Sequence, residues 1–122
     1  MAQRIAVPAD GESLDSNVFE HFGRAPYYVL IDIENDKITD VRAIRNPLIE
    51  HKPGDIPGLL QKNNVSVVIC RGVGRRAREY FRAYSIEAIT GASGKIRDIV
   101  EAYIKGELRS IDYTPKTKWK QK

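Results

Sequence analysis

The spacing of apolar residues changes partway along the chain. Up to about residue 45 the apolar positions form short runs rich in β-branched and aromatic residues, bounded by polar turns, which is the pattern of strands. After residue 54 they recur at spacings of three and four between shorter apolar runs, which predicts helices alternating with strands. The predicted elements are strands 4–8, 27–33 and 38–44, helix 55–63 with Asp55 as its cap, strand 65–70, helix 75–84, strand 86–89, and a last helix that Ser93 caps and Gly106 ends.

This order predicts how the elements are arranged. Asn35-Asp36 between the second and third strands is typical of an antiparallel hairpin, and the later strands, each reached through a helix, are expected to be parallel. The fold class is therefore α/β, with three layers around a mixed five-stranded sheet. The carboxyl ends of its parallel strands gather three loops, after Pro8, at 71–74 and at 90–94, where open α/β sheets bind ligands.

Composition limits the organisation of the chain. With 122 residues, 42% apolar and 30% charged, one domain with one hydrophobic core is expected over 1–113, followed by a basic flexible tail over 114–122. No apolar run approaches the roughly 20 residues that span a bilayer, and no leader pattern is present, so we expect an intracellular, cytoplasmic protein without membrane partners. Cys70, the one cysteine, ends an apolar run and is predicted to lie in the core.

The net charge of +4 comes entirely from the tail. Residues 1–113 hold 16 basic and 16 acidic side chains, so the body is neutral. Trp119 among the tail lysines leaves nucleic-acid binding as an alternative to a solvated tail, although four lysines make a weak, salt-sensitive contact. The tail lysines are Lys116, Lys118, Lys120 and Lys122.

The segment between strand 65–70 and helix 75–84 predicts an anion site. Gly72 and Gly74 allow backbone N–H groups at the start of a helix to approach an anion. Arg71, Arg75 and Arg76 begin this helix, where cations oppose the macrodipole at a cost of about 0.3–1 kcal/mol each. A bound anion would remove that conflict.

The same segment fits a second hypothesis. Gly72 to Ala77 matches G-x-G-x-x-A, a permitted form of the dinucleotide fingerprint, so a regulatory module that binds a nucleotide or a phosphorylated metabolite is the alternative. The turn follows the fourth strand of a short chain, however, whereas a dinucleotide domain places it after the first. Farther along the helix, Arg78 and Arg82 are predicted to lie on a solvated face, opposite an apolar stripe of Ala77, Tyr80, Phe81 and Tyr84.

The histidine of the first long loop is the candidate metal ligand. His21 lies between Phe19 and Phe22, which predicts a partly apolar site where a neutral imidazole binds metal well. The sequence lacks C-x-x-C and H-E-x-x-H, and His51 lies thirty residues away. No spacing supports a two-metal carboxylate site built from Asp10, Asp15 and Asp32.

Four segments in this order resemble a known family. They are Arg4 to Pro8, His21-Phe22-Gly23-Arg24-Ala25 leading into 27–33, Gly72-x-Gly74-x-Arg76-Ala77, and Gly91-Ala92-Ser93-Gly94 before a helix that ends at Gly106-Glu107-Leu108. Together they resemble the nitrogenase iron–molybdenum cofactor biosynthesis family over residues 2–108. That family includes cofactor carriers, a domain of the cofactor-synthesis enzyme and a molybdenum–copper cluster protein. This sequence has Arg75 where many members have proline, and its tail lies outside the family pattern.

The resemblance implies a ribonuclease H-like fold and carriage of a metal–sulfur cluster, of iron–molybdenum or iron–sulfur type, rather than catalysis. His21 corresponds to the proposed cluster ligand of the carriers. The implied partner is a protein that donates or accepts the cluster; nucleic acid is not expected, and the chain is expected to be a monomer or a weak homodimer. The residues predicted to bind the cluster beside His21 are Arg24, Arg71, Gly72, Gly74, Arg75, Arg76, Gly91, Ser93 and Gly94.

Overall fold

A computed structural model describes residues 2–46, 54–108 and 110 of the chain. Strands and helices follow one another in the predicted order. The elements are β1 (Ala2–Ala9), a 3-10 turn (Phe22–Arg24), β2 (Tyr27–Glu34), β3 (Lys37–Arg45), α1 (Asp55–Lys62), β4 (Val67–Ile69), α2 (Arg75–Ala83), β5 (Glu87–Ile89) and α3 (Ile96–Ile104).

The five strands form one mixed sheet in the order β3-β2-β1-β4-β5. β2 runs antiparallel to both β1 and β3, while β4 is parallel to β1 and to β5. The predicted combination of a hairpin and parallel crossovers is therefore confirmed. Because Tyr27 pairs with Ala9 on one side and with Arg45 on the other, β1, β3, β4 and β5 end, and β2 begins, at the same edge, which we call the carboxyl edge.

The hairpin turn has the geometry that its sequence predicts. Asn35 and Asp36 adopt φ values of 53° and 64°, the left-handed region that a two-residue turn between antiparallel strands requires. Asn and Asp tolerate this region better than other residues with a side chain. The turn therefore fixes β2 and β3 as neighbours without a glycine.

Helices cover both faces of the sheet, as the three-layer prediction requires. One face packs against α3 through Ile96, Ile99 and Val100, and the other packs against α1 and α2 through Ile56, Leu60 and Phe81. Strand residues alternate between the two cores because successive side chains point to opposite faces. β1 shows the alternation in full: Ile5, Val7 and Ala9 belong to the first core, and Ala6 to the second.

Two predicted helix caps are wrong. The cap of α1 is Gly54 rather than Asp55, which becomes the first helical residue. α3 begins at Ile96 with Lys95 at its cap position, so Ser93 lies too far upstream to cap it. An isolated bridge between Asn17 and Lys95 holds the chain extended up to that point, and this long-range contact delays the helix.

The remaining differences concern boundaries and coverage. β4 is limited to three residues instead of the predicted 65–70, although every residue of that run except Ser66 is buried. Most of the predicted loop 49–54, including His51, and the tail 114–122 lie outside the described residues. Within the described part of the chain, every helix is too short to span a membrane.

Candidate cluster-binding site

The His21 turn, residues 21–25, lies at the carboxyl edge just before β2. The N–H of Arg24 donates to the carbonyl of His21 at 3.0 Å, which closes a 3-10 turn. Phe22 and Ala25 are buried, whereas His21 and Arg24 are exposed. The prediction of a partly apolar site for the imidazole is therefore wrong: Phe22 is the residue buried in the apolar core, and the side chain of His21 is exposed to solvent, as is that of Arg24.

Two side chains, one in β2 and one just after β3, donate hydrogen bonds to the carbonyls of this turn. The hydroxyl of Tyr28, on β2, donates to the carbonyl of Phe22 at 2.6 Å. The amide Nδ2 of Asn46, just after β3, donates to the carbonyls of Gly23 at 3.3 Å and Ala25 at 2.9 Å. Burial raises the pKa of Tyr28, so its hydroxyl stays protonated and remains a donor.

An aromatic cluster joins the His21 turn to helix α2. The ring of Phe22 lies 5.6 Å from that of Tyr28 and meets the ring of Phe81 edge to face at 5.4 Å, centroid to centroid. These separations are within the range in which aromatic pairs attract one another. Since Phe81 belongs to α2, the turn that carries His21 and Arg24 packs directly against this helix.

The start of α2 combines open backbone donors with cationic side chains. Its cap residue is Gly74, which has no side chain to accept a hydrogen bond from the first N–H groups of the helix. The first turn has no acidic residue, and Arg75 and Arg76 there are exposed. Arg71 lies half-buried in the loop before them. Cations and N–H groups at one helix start form an environment that favours an anion.

Arg78 departs from its prediction. It is half-buried rather than fully solvated, and its positive charge acts on the thiol of Cys70. Arg82, one turn farther on, is exposed as predicted. Tyr80 also differs, because it is 41% exposed rather than part of the apolar stripe; its ring packs on Gly54.

Cys70 is a core residue, as predicted. Its side chain is fully buried, and burial raises the pKa of the thiol to about 12, while the charge of Arg78 acts in the opposite direction. Thiolate is the form that binds metals and attacks electrophiles. Cys70 is therefore unsuited to bind a cluster at neutral pH.

We expect native Cys70 to resist alkylation. At pH 8 a thiol with a pKa near 12 holds roughly a thousandfold less thiolate than an ordinary cysteine, so iodoacetamide should react with it at least that much more slowly than with the unfolded chain. Mass spectrometry of samples quenched over time, with and without urea, measures both rates. Comparable rates in the two conditions would contradict the buried placement.

The loop after β5 is tied to the loop after β4. The N–H of Gly91 donates to the carbonyl of Arg71 at 2.8 Å, and the N–H of Ala92 donates to that of Cys70 at 3.1 Å. Gly91 adopts a φ of 92°, which favours glycine, so its contribution here is to shape the turn. These bonds hold the 91–94 loop beside the 71–74 loop at the carboxyl edge.

The same loop also contacts the long loop that leads to His21. The carbonyl of Gly94, whose φ is 96°, accepts a hydrogen bond of 2.9 Å from the N–H of Val18. Ser93 and Gly94 are both exposed, and no substituent at Gly94 would meet an atom within 4 Å. The three loops that the sequence places at the carboxyl edge are therefore linked by backbone hydrogen bonds.

The acidic residues considered for a two-metal site are separated. Each has its own partner: the guanidinium of Arg4 donates to Asp32 at 2.6 Å, that of Arg97 donates to Asp15 at 3.1 Å, and the N–H of Asn17 donates to Asp10 at 2.9 Å. Arg4 also lowers the pKa of Asp32 through this hydrogen bond. In residues 2–46, 54–108 and 110, no group of three or more His, Cys, Asp and Glu residues is placed to hold a metal ion.

Sequence reasoning missed three residues around this site. Tyr28 and Asn46 act on the His21 turn through contacts that the sequence does not display, across 6 to 23 positions. Arg78 was open to prediction, because it follows Arg75 by three positions and so shares its side of the helix.

Comparison with known proteins adds to this geometry. The family profile described as dinitrogenase iron-molybdenum cofactor matches residues 3–106. An uncharacterized protein of Methanocaldococcus jannaschii is 25% identical over 112 residues, which cover 89% of this chain and 92% of that protein. The crystal structure of PH0822 has a TM-score of 0.81 at 37% identity, covering 89% of this chain and 96% of that one. The apo form of the orange protein from Desulfovibrio gigas has a TM-score of 0.77 at 25% identity, covering 93% and 97%.

Proposed function

The chain belongs to the dinitrogenase iron-molybdenum cofactor family, and from this membership we propose that it binds an anionic metal–sulfur cluster at the carboxyl edge as cargo, without catalysing a reaction. The cluster is of iron–molybdenum or iron–sulfur type. His21 binds a metal of the cluster, and the arginines around the start of α2 compensate its charge.

One observation carries this proposal. The exposed pair His21 and Arg24 lies on the turn just before β2 begins, and the exposed Arg75 and Arg76 begin the helix that follows β4, so both sets lie at the carboxyl edge. A metal-binding imidazole and a set of cations are thereby brought to one edge of the sheet. An anion that contains metal atoms can be bound by the imidazole through a metal and by the arginines through its negative charge.

The donor set fits a preassembled cluster better than a bare metal ion. A bare ion needs several protein ligands, and the described residues offer no such group of His, Cys, Asp and Glu. A sulfide-bridged cluster brings most of its ligands with it, so one imidazole suffices for attachment. Its negative charge then favours Arg71, Arg75 and Arg76, together with Arg78, which follows Arg75 by three positions on the same side of the helix.

The exposure of the site fits transfer of cargo. His21, Arg24, Arg75 and Arg76 are all exposed, so a cluster bound there remains accessible to a second protein. We propose a cluster donor or acceptor protein as the partner. The orange protein of Desulfovibrio gigas, which has a similar fold, supports this proposal. Its structure is described as an apo form, and that term implies a second form of that protein with a group bound.

Replacing the imidazole tests the proposal. Protein purified without oxygen is titrated with tetrathiomolybdate and, in parallel, with a preformed iron–sulfur species, and the charge-transfer absorption is followed. We expect wild type to bind one of the two and His21→Ala to weaken binding at least about tenfold, because loss of even an indirect partner of a metal ligand costs 10- to 100-fold. His51→Ala, which removes the other histidine, serves as the control.

The outcomes are distinct. If wild type binds neither species, the carrier proposal fails; if His21→Ala binds like wild type, the assigned ligand is wrong. A thermal-shift panel of adenosine phosphates runs alongside. Stabilisation by a nucleotide, without binding of either sulfur species, would favour the regulatory module at Gly72 and Gly74 instead.

A further inference from the structure

The structure carries a further inference about two residues outside the binding loops. We infer that Tyr28 and Asn46 are positioning residues, which hold the His21 turn, and with it the exposed side chains of His21 and Arg24, in place at the carboxyl edge. This inference rests on the proposed function for the role of His21. The restraint on the turn itself is a separate property of the chain.

The hydrogen bonds that restrain the His21 turn are accepted by its backbone carbonyl oxygens. Of the five residues of the turn, four have a carbonyl that accepts a described hydrogen bond: His21 from the N–H of Arg24, Phe22 from Tyr28, and Gly23 and Ala25 from Asn46. Three of these bonds come from side chains. A loop oriented by its own backbone would not need side-chain donors from β2 and from the residue that follows β3.

The two donors are themselves fixed. Tyr28 is fully buried within β2 and touches the ring of Phe22, so its hydroxyl has a defined position. The N–H of Asn46 donates to the carbonyl of Pro26 at 2.9 Å, which anchors its backbone to the segment that follows the turn. The amide group therefore reaches Gly23 and Ala25 from a rigid base at the end of β3.

This arrangement controls the exposed side chains indirectly. His21 and Arg24 have no described contact that sets their direction, so the backbone of the turn determines where their side chains start. Positioned groups lose affinity when their supporting hydrogen bonds are removed, even though the groups themselves remain. Loss of Asn46 or of the Tyr28 hydroxyl is therefore expected to act through His21.

The test uses Asn46→Ala and Tyr28→Phe, with Asn63→Ala as the matched control. Asn63 also donates from its side chain to a backbone carbonyl, that of Leu59 at 2.9 Å, but it does so at the end of α1, next to the edge where β4 begins. The first measurement is hydrogen exchange of the Arg24 amide by NMR. We expect exchange at least tenfold faster in Asn46→Ala and Tyr28→Phe, and within twofold of wild type in Asn63→Ala.

A double-mutant cycle separates positioning from general destabilisation. We expect Asn46→Ala to weaken tetrathiomolybdate binding about fivefold with His21 present and to have no further effect in His21→Ala, because both changes remove the same contact. An equal loss in both backgrounds would overturn the positioning role. An Arg24 amide that exchanges at the wild-type rate in Asn46→Ala would overturn the restraint, and this result is readable even if wild type binds no cluster and the proposed function fails.

Discussion

Reversing the charge of Arg75 and Arg76 together, in the variant R75E/R76E, is expected to lower the affinity for tetrathiomolybdate about a hundredfold and to raise the melting temperature. Each lost contact with a dianion is expected to cost about a factor of ten, or roughly 1.4 kcal/mol. The same residues begin α2, where no acidic side chain offsets the helix dipole. Glutamate there replaces an unfavourable interaction with a favourable one, worth about 0.3–1 kcal/mol for each residue at surface exposure.

Arg82→Glu is the matched control for this variant. Arg82 is exposed and lies in the last turn of the same helix, where a cation interacts favourably with the dipole. Its reversal should lower the melting temperature by a few degrees and change the affinity less than threefold. Anaerobic titration and thermal unfolding of both variants give the comparison. A double variant that binds tetrathiomolybdate like wild type would contradict the anion site at the start of α2. A double variant that unfolds at a lower temperature would contradict the unfavourable interaction of these two arginines with the helix dipole.

Phe81→Ala is expected to have the largest effect on stability. Phe81 is buried and meets Phe22 edge to face, so its truncation leaves a cavity between α2 and the sheet. Phenylalanine-to-alanine changes in cores cost about 3–5 kcal/mol, a large share of the roughly 5–15 kcal/mol that stabilises a domain. Urea unfolding followed by circular dichroism measures the loss in the free energy of unfolding.

Tyr80→Ala provides the comparison within the same helix. Tyr80 is 41% exposed and touches Gly54 and Tyr84, so its loss should cost about 1 kcal/mol. Should the two variants lose similar amounts of stability, the described burial of α2 would be wrong. Since Phe81 also supports the His21 turn, Phe81→Ala should weaken cluster binding as well under conditions where it remains folded.

The architecture was predictable because it depends on local patterns. Asn35-Asp36 dictates a tight turn, and the change of apolar period after residue 54 separates strands from helices. Because crossover connections between parallel strands are right-handed, the order of the strands along the chain is then compatible with only a few arrangements of the sheet. Boundaries were less accurate where a distant segment intervenes, as when the bridge from Asn17 to Lys95 delays α3 beyond Ser93.

The candidate site was predictable in its loops but not in its supports. Glycines between a strand and a helix, and arginines at the start of a helix, indicate an anion site from a few consecutive residues of sequence. The hydrogen bonds from Tyr28 and Asn46 join residues that approach only after the sheet has formed, so no short pattern encodes them. Arg78 shows the remaining difficulty, because a helical wheel gives its side of the helix but not how deeply its side chain is buried.

The hydroxyl of Ser110 accepts a hydrogen bond of 3.0 Å from the N–H of Thr90, directly after β5. The chain therefore reaches the carboxyl edge again at Ser110, whereas β1 starts at the opposite edge. For immobilisation on a sensor surface, a tether attached through the amino terminus leaves His21 and the arginines facing the solution. A tether after Ser110 brings the surface to the carboxyl edge, the side from which the proposed cargo and its partner protein would approach.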